Sequence, residues 1–556
     1  MQKNQQKAKE KPPSEVFSFF AFFINPKNNI YLWVLFLKTV VFIKNALILT
    51  VTSFLLRSLG IVLKIWLAAR VGAEGIGLYQ LIFSFYVLVS AFSTAGISTA
   101  VTRLVSSELH KGLSAIRHIL KRAIFLTLLI AVVSGVAVFF GAEFTATFFL
   151  KDSRATVPLQ ILCFSLPFMG ISSCFKGYFI ARRRAFPPSL AQIGEQSVRI
   201  VIIVALINAF SHYGIVFCTC AILIGDSLAE VFSCLLLWIM YNSSKQSIKK
   251  GFLLPAHIFK DLLHISAPIT AGRYVITALH TVENIIIPSK LALLHSAGYG
   301  LALFGKLKGM ALPLIFFPSS FLSAISTMLV PEISEAAALS HRQTIQSETQ
   351  RTINLTFMLS ILIASVFLIN GKQLGQIVYN DKDVGLIIQI LAPIIPFMYL
   401  ESVTDGILKG LNQQKHSFLY NVVDSIIRIV LIYLLVPRFG LYGFLGIMIL
   451  SNTLSSCLNL CRLVKISGIK PNFCNNLVKP VFSALLGGIG EFSLGNLIVF
   501  NPLITVTLKI ILHSVIFFAS LFLMNGLSVL KVNEFKALIN NKKSCLLFGL
   551  CKKQKK

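Results

Sequence analysis

Ala123-Ile-Phe-Leu-Thr-Leu-Leu-Ile-Ala-Val-Val-Ser-Gly-Val-Ala-Val-Phe-Phe140 runs for eighteen residues without a charge. Wound as a helix it covers about 27 Å, close to the hydrocarbon thickness of a bilayer. Runs of this kind recur along the whole chain. They predict spans at 45–70, 78–103, 122–142, 156–181, 190–210, 213–240, 262–288, 299–332, 352–370, 386–411, 416–436, 440–464, 480–500 and 503–528. The alternating apolar and polar positions of a membrane β-barrel are absent. Of 556 residues 55% are hydrophobic and 13% charged, and the mean hydropathy is +0.79. No soluble domain of that balance covers its own apolar surface. The expectation is an all-α polytopic membrane protein of about fourteen transmembrane helices.

The formal charge of +30 sits mostly in short loops and in the two tails, where it sets topology and attracts anionic headgroups. Without a basic, aromatic-bearing domain outside the apolar runs, the sequence offers nucleic acid no platform. Loops after even-numbered spans hold about eighteen Lys and Arg, against seven after odd-numbered ones. By the positive-inside rule both termini are expected in the cytoplasm. Residues 1–44 read as a basic tail, retained in the mature protein, with an interfacial helix leading into the first span; 529–556 read as a second basic tail. The ten cysteines fall mainly in apolar runs and show no disulfide framework or metal spacing. No cofactor is expected. Gly300-Leu-Ala-Leu-Phe-Gly305-Lys306 imitates a phosphate-binding loop, but Leu307 stands where a Mg²⁺-binding hydroxyl is needed.

The chain repeats itself. Gln160-Ile-Leu-Cys-Phe-Ser-Leu-Pro-Phe-Met169 returns as Gln389-Ile-Leu-Ala-Pro-Ile-Ile-Pro-Phe-Met398. At the same offset Gly177 falls on Gly406, Glu195 on Asp424 and Arg199 on Arg428. One residue out of register, Ile97-Ser-Thr99 falls on Ile325-Ser-Thr327. Two pseudo-symmetric six-helix lobes are therefore expected, 45–241 and 262–464, with a helix pair at 480–528 appended. Duplicated carriers of this kind hold their substrate between the lobes.

A charge within a span costs roughly 2.5–3.5 kcal/mol on insertion scales, so each one needs a reason. Arg57 and Lys64, seven residues apart, share one face of the first span. Arg273 and Glu283 lie in the seventh span. Lys306 and Lys308 lie in the eighth, ahead of Pro313 and Pro318. Arg57, Lys64, Arg273 and Lys308 are the candidate binders of an anionic headgroup. Glu283, Glu401, Asp405 and Asp226 are candidates for cation or proton coupling, or for charge balance. Glu195 with Arg199, and Asp424 with Arg428, read as self-neutralising pairs four residues apart.

Val71-Gly-Ala-Glu-Gly-Ile-Gly-Leu-Tyr-Gln80 and Ser93-Thr-Ala-Gly-Ile-Ser-Thr-Ala100 resemble the start of stage V sporulation protein B-like polysaccharide exporters. Phe304-Gly-Lys-Leu-Lys-Gly-Met-Ala-Leu-Pro-Leu314, Leu329-Val-Pro-Glu-Ile-Ser-Glu-Ala336 and Pro393-Ile-Ile-Pro-Phe-Met-Tyr-Leu-Glu-Ser402 resemble the same group. That group lies in the multidrug/oligosaccharidyl-lipid/polysaccharide exporter superfamily. The resemblance spans roughly 45–530. It implies fourteen helices in two lobes, a polyprenyl-diphosphate-linked glycan or cell-wall precursor as cargo, and cell-wall synthases as partners. Arg57 matches a first-helix arginine of the superfamily's lipid II flippases, and Lys308 an arginine before a proline. Leu63-Lys64 departs from the Arg-Asp pair of those flippases. The expected function is translocation of a lipid-linked oligosaccharide across the cytoplasmic membrane by alternating access. A multidrug or cation antiporter of the same superfamily is the second reading. A membrane glycosyltransferase or ligase acting on the same lipid carrier is the third.

Overall fold

The computed structural model describes residues 26–94, 96–109, 113–244, 258–294, 296–339, 341–469, 474–495 and 501–524. The tail segment 1–25 and the C-terminal tail lie outside them. Every regular element among the described residues is helical. In chain order the principal helices are α1 (Pro26–Thr94), α2 (Ile97–Glu108), α3 (Leu113–Phe140), α4 (Leu166–Ala181), α5 (Phe186–Phe210), α6 (Ile215–Ser244) and α7 (Ile258–Leu291). There follow α8 (Ala297–Phe304), α9 (Ser319–Ala338), α10 (Arg342–Tyr379), α11 (Ile395–Gly410), α12 (Gln414–Ser467), α13 (Lys479–Gly495) and α14 (Pro502–Leu523). Short helices Thr156–Cys163 and Lys382–Leu391 lead into α4 and α11.

Among the described residues ten helices are long and apolar enough to cross a membrane, or eleven with the pair Ser153–Cys163 and Leu166–Ala181, bent by 45°, counted as one span. The protein is a multi-pass membrane protein. Two of the long helices bend at a glycine with positive φ: α1 at Gly72 (φ 76°) and α12 at Gly440 (φ 56°). Only glycine adopts that backbone without a Cβ clash. The first two expected spans thus lie in one bent helix that is continuous back to Pro26. The eighth span, expected as one piece over 299–332, is broken. Beyond α8 it widens into a π-helical turn at Gly305–Ala311 and resumes at Leu312–Phe316; α9 then starts after Pro318. Pro313 has no N–H for the carbonyl one turn back, and the widened turn ahead of it absorbs that loss.

The backbone carries the repeat more plainly than the side chains do. Among the described residues four non-glycine residues have positive φ, and they form two pairs 229 residues apart: Lys151 (57°) with Asn380 (51°), and Arg183 (55°) with Asn412 (58°). The residue after each member of the first pair, Asp152 and Asp381, caps a short helix by accepting from backbone N–H groups. Helix contacts repeat as well. Gly177 leaves room for the backbone of Ser98, and Gly406 does so for the side chain of Ser326. A Cβ on Gly77 would strike the Leu301 carbonyl, and one on Gly305 would strike the Ala73 carbonyl. The last two pairs are reciprocal, so α1 and the helix containing α8 cross in close contact about their own local symmetry.

Candidate headgroup site between α1 and the α8–α9 break

Arg57 and Lys64 project from one face of α1 into a hollow of about 440 Å³, walled opposite by Pro313, Phe317, Ser319 and Ser402. The wall exists because Pro318 ends one helix and starts another there, exposing hydroxyls and rings together. Arg57 Nη1 donates to Ser320 Oγ at 3.2 Å, and Phe54 meets Phe317 across the same gap with ring centroids 6.1 Å apart. Among the described residues neither Arg57 nor Lys64 has an acidic partner. Arg273, on α7, is exposed, borders neither of the two hollows described here and likewise has no acidic partner among the described residues.

Lys308 and Arg428, by contrast, are committed. Lys308 Nζ reaches Glu283 Oε1 at 3.3 Å, and Arg428 Nη1 reaches Glu283 Oε2 at the same distance. His280 Nδ1 stands 3.6 Å from the second oxygen. Arg428 also pairs with Asp424 (2.5 Å), and Ser451 ties the two together by accepting from Arg428 at 2.9 Å and donating to Asp424 at 2.6 Å. Glu283, 1% exposed, is the hub of this network. Glu401 accepts from Ser455 at 2.5 Å, and Asp405 accepts from Ser417 and pairs with Lys409. Asp226 binds Arg199 (2.8 Å) and accepts from Tyr79 (3.3 Å). The structure therefore brings Arg57 and Lys64 together and places Lys308 and Arg273 elsewhere.

Lys306, set aside in the sequence, bridges to the turn after α10, with Asp381 at 2.8 Å and Asp383 at 2.6 Å. Burial works against the Asp381 charge, but hydrogen bonds from Lys306 and from the Val384 and Asp383 N–H groups outweigh it. They hold that carboxyl below the ordinary carboxylate range. Arg154, in the matching turn of the first copy, pairs with Glu74 on α1 at 2.8 Å. Both turns are thus fastened to the helix beside them, with the charges exchanged. A second hollow of about 410 Å³, bordered by Tyr299, Asp383, Arg438 and Tyr442, adjoins the Lys306 bridge. The unmatched state of Arg57 and Lys64 has no signal in the sequence, because it depends on which acids the fold brings near.

The polysaccharide biosynthesis protein family model matches residues 42–337, more than half of the chain. The chain belongs to that family. A MatE model matches 308–434. The chain is 26% identical over 419 residues to stage V sporulation protein B of Bacillus subtilis, covering 73% of this chain and 79% of that protein. It is 22% identical over 418 residues to the lipid II flippase MurJ of the same organism, covering 70% and 76%. Among solved structures it is similar to a lipid II flippase MurJ in an inward closed conformation, with a TM-score of 0.67 and 15% identity over 84% of this chain and 97% of that one. An inward-facing multidrug resistance MATE family transporter follows at 0.59 and 14%, covering 75% and 94%. The family is one of superfamily transporters and flippases; the protein is a flippase-type transporter and not an enzyme.

Proposed function

We propose that this protein translocates a polyprenyl-diphosphate-linked oligosaccharide or cell-wall precursor across the cytoplasmic membrane by alternating access. The chain acts as two halves of six spans, 45–241 and 262–464, with the pair at 480–528 appended. Fourteen spans follow when the two glycine-bent helices are each counted twice and the bent pair and the 34-residue α7 are added. Both termini face the cytoplasm, as the loop charges favour.

One observation carries the reading: among the described residues Arg57 and Lys64 share a hollow without a counter-charge, whereas Arg199, Lys306, Lys308 and Arg428 are all matched to acids. Cations left unmatched at membrane depth await an anion from outside the protein. A phosphate oxygen about 4 Å from one of them gains roughly 4 kcal/mol at an effective dielectric near 20, before desolvation. Two such contacts hold a diphosphate and still release it. Arg273, exposed on α7 outside the hollow, is a separate cation that a headgroup meets on its way, and Lys308 becomes available when Glu283 turns to Arg428 alone. The lipid II flippase and stage V sporulation protein B relatives agree with a lipid-linked glycan as cargo, and with neighbouring cell-wall synthases as its users. The acid-matched networks give a drug or cation antiporter less support, since the open hollow is basic.

The test is reconstitution in vesicles with a fluorescent lipid-linked sugar, scoring which leaflet holds the label. Wild type moves the label; Arg57→Ala with Lys64→Ala leaves it where it started, with the protein inserted normally. Equal flipping by that double variant ends the headgroup reading.

A further inference from the structure

Buried polar atoms are nearly always hydrogen-bonded, since each one left alone costs about 1–3 kcal/mol. On α6, Ser227 Oγ, Glu230 Oε2 and Ser233 Oγ are buried, and none has a hydrogen-bond partner among the described residues. On α12, Ser456 Oγ, both polar atoms of Asn459, and Arg462 Nε are in the same condition. These two triplets are equivalent: 227, 230 and 233 plus 229 give 456, 459 and 462. The spacing i, i+3, i+6 lays each triplet along one side of its helix. Ser233, Ser456 and Asn459 are fully buried and Ser227 is 8% exposed. Accidental packing faults do not recur in register, so each half contains the same unsatisfied seam. Its polar atoms find their partners in water or an ion.

The two seams differ in charge at two places: Glu230 in the first stands against Asn459 in the second, and Ser233 against Arg462. Glu230 lies within electrostatic reach of Lys176 on α4, Glu195 and Arg199 on α5, and Asp226 on its own helix. Tyr79 and Tyr86 face this group from α1, and Cys234 adjoins it on α6. Arg199 is shared between Glu195 (2.9 Å) and Asp226 (2.8 Å), and Lys176 approaches Glu195 (3.9 Å). Three carboxylates face two cations, and both cations are engaged by the other two acids. Glu230 has no ion partner among the described residues. One negative charge stays in surplus, beside hydroxyls whose oxygens are free to act as ligands.

We propose that the first half binds one small monovalent cation, a sodium ion or a proton, at Glu230 with Ser227 and Ser233 beside it, and that the equivalent seam around Asn459 holds water alone. The site lies within one half and away from Arg57 and Lys64. It is read on the purified chain with no glycan present, so its failure and the failure of the flippase reading are separate results.

Two measurements on the full-length chain in lipid nanodiscs decide it. Thermal unfolding is followed while sodium replaces choline at constant ionic strength. Infrared difference spectra between acid and neutral pH record the carbonyl stretch of a protonated carboxyl. Stabilisation by sodium in wild type, lost in Glu230→Gln and kept in Asn459→Ala, assigns a sodium ion. A carboxyl signal that Glu230→Gln removes, without a sodium effect, assigns a proton. Wild type showing neither response overturns the site, whether or not the variants fold, as do responses that Glu230→Gln leaves intact.

Discussion

Lys308 and Arg57 are both cations set into apolar helices, yet the structure gives them opposite conditions. Lys308 is bound to Glu283, and breaking a buried pair from one side costs about 3–5 kcal/mol because the partner charge is left behind. Glu283→Gln is therefore expected to lower the thermal midpoint sharply, since Lys308 and Arg428 then face each other unshielded. Adding Lys308→Met recovers much of the loss, and melting curves of the three chains check this. Arg57 lacks such a partner, so Arg57→Ala leaves the melting curve nearly unchanged. It should weaken binding of a soluble diphosphate analogue by about 10- to 100-fold, the worth of one charge-assisted contact. Calorimetric titration measures that directly. The sequence made Arg57, Lys64, Arg273 and Lys308 look alike, since each is a lone cation in an apolar run. What separates them is the acid that folding delivers: Glu283 lies 25 residues from Lys308, and Arg428 lies 145 residues from Glu283. No local pattern encodes that.

At the scale of elements, the appended pair α13–α14 is held by a buried chain of polar contacts. His513 Nδ1 lies 3.1 Å from Glu491 on α13, and its Nε2 lies 2.8 Å from Ser365 Oγ on α10. Gly487 leaves space for the imidazole, which is fully buried. His513→Ala strands Glu491 and is expected to cost about 1–3 kcal/mol, seen as earlier proteolysis of this pair relative to the remaining bundle. The Lys306–Asp381 bridge behaves differently, as it lies in a turn. The Asp381 carboxyl is held below its unfolded value, so its contribution is complete above the ordinary Asp range of about 3.9 and disappears as pH falls through the folded value. Acid should loosen the turn after α10 in wild type, whereas in Lys306→Met it is already loose at neutral pH; hydrogen exchange over 380–385 reports the difference. Helix positions were readable from hydropathy because bilayer thickness imposes run length. The break at Pro318 and the continuity across Gly72 were not, as each depends on whether the following segment turns back or runs on.

For the whole molecule, the contact between Ser84 on α1 and Asn284 on α7, whose side chains hydrogen-bond at 3.0 Å, offers a direct check on alternating access. Cysteines at 84 and 284, in a chain lacking exposed Cys457, Cys461 and Cys474, are placed to bridge. Oxidation should arrest flipping and reductant restore it; unimpeded flipping when oxidised would show that this crossing never opens. The duplication itself was legible, since Pro, Gly and the Glu/Asp–Arg pair stay in register. Its depth was not, because Lys151 and Asn380 share a backbone conformation and nothing else. Lys and Arg are uncommon in that conformation, which Asn tolerates more readily.

The reciprocal glycine crossing has an evolutionary corollary. Before the two copies were joined, an ancestor of half this length would have made the same crossing by pairing with itself, and a homodimer must repeat every residue on both sides of its axis. Fusion removed that obligation. A carboxylate at 230 opposite an amide at 459 is a difference that no homodimer can carry.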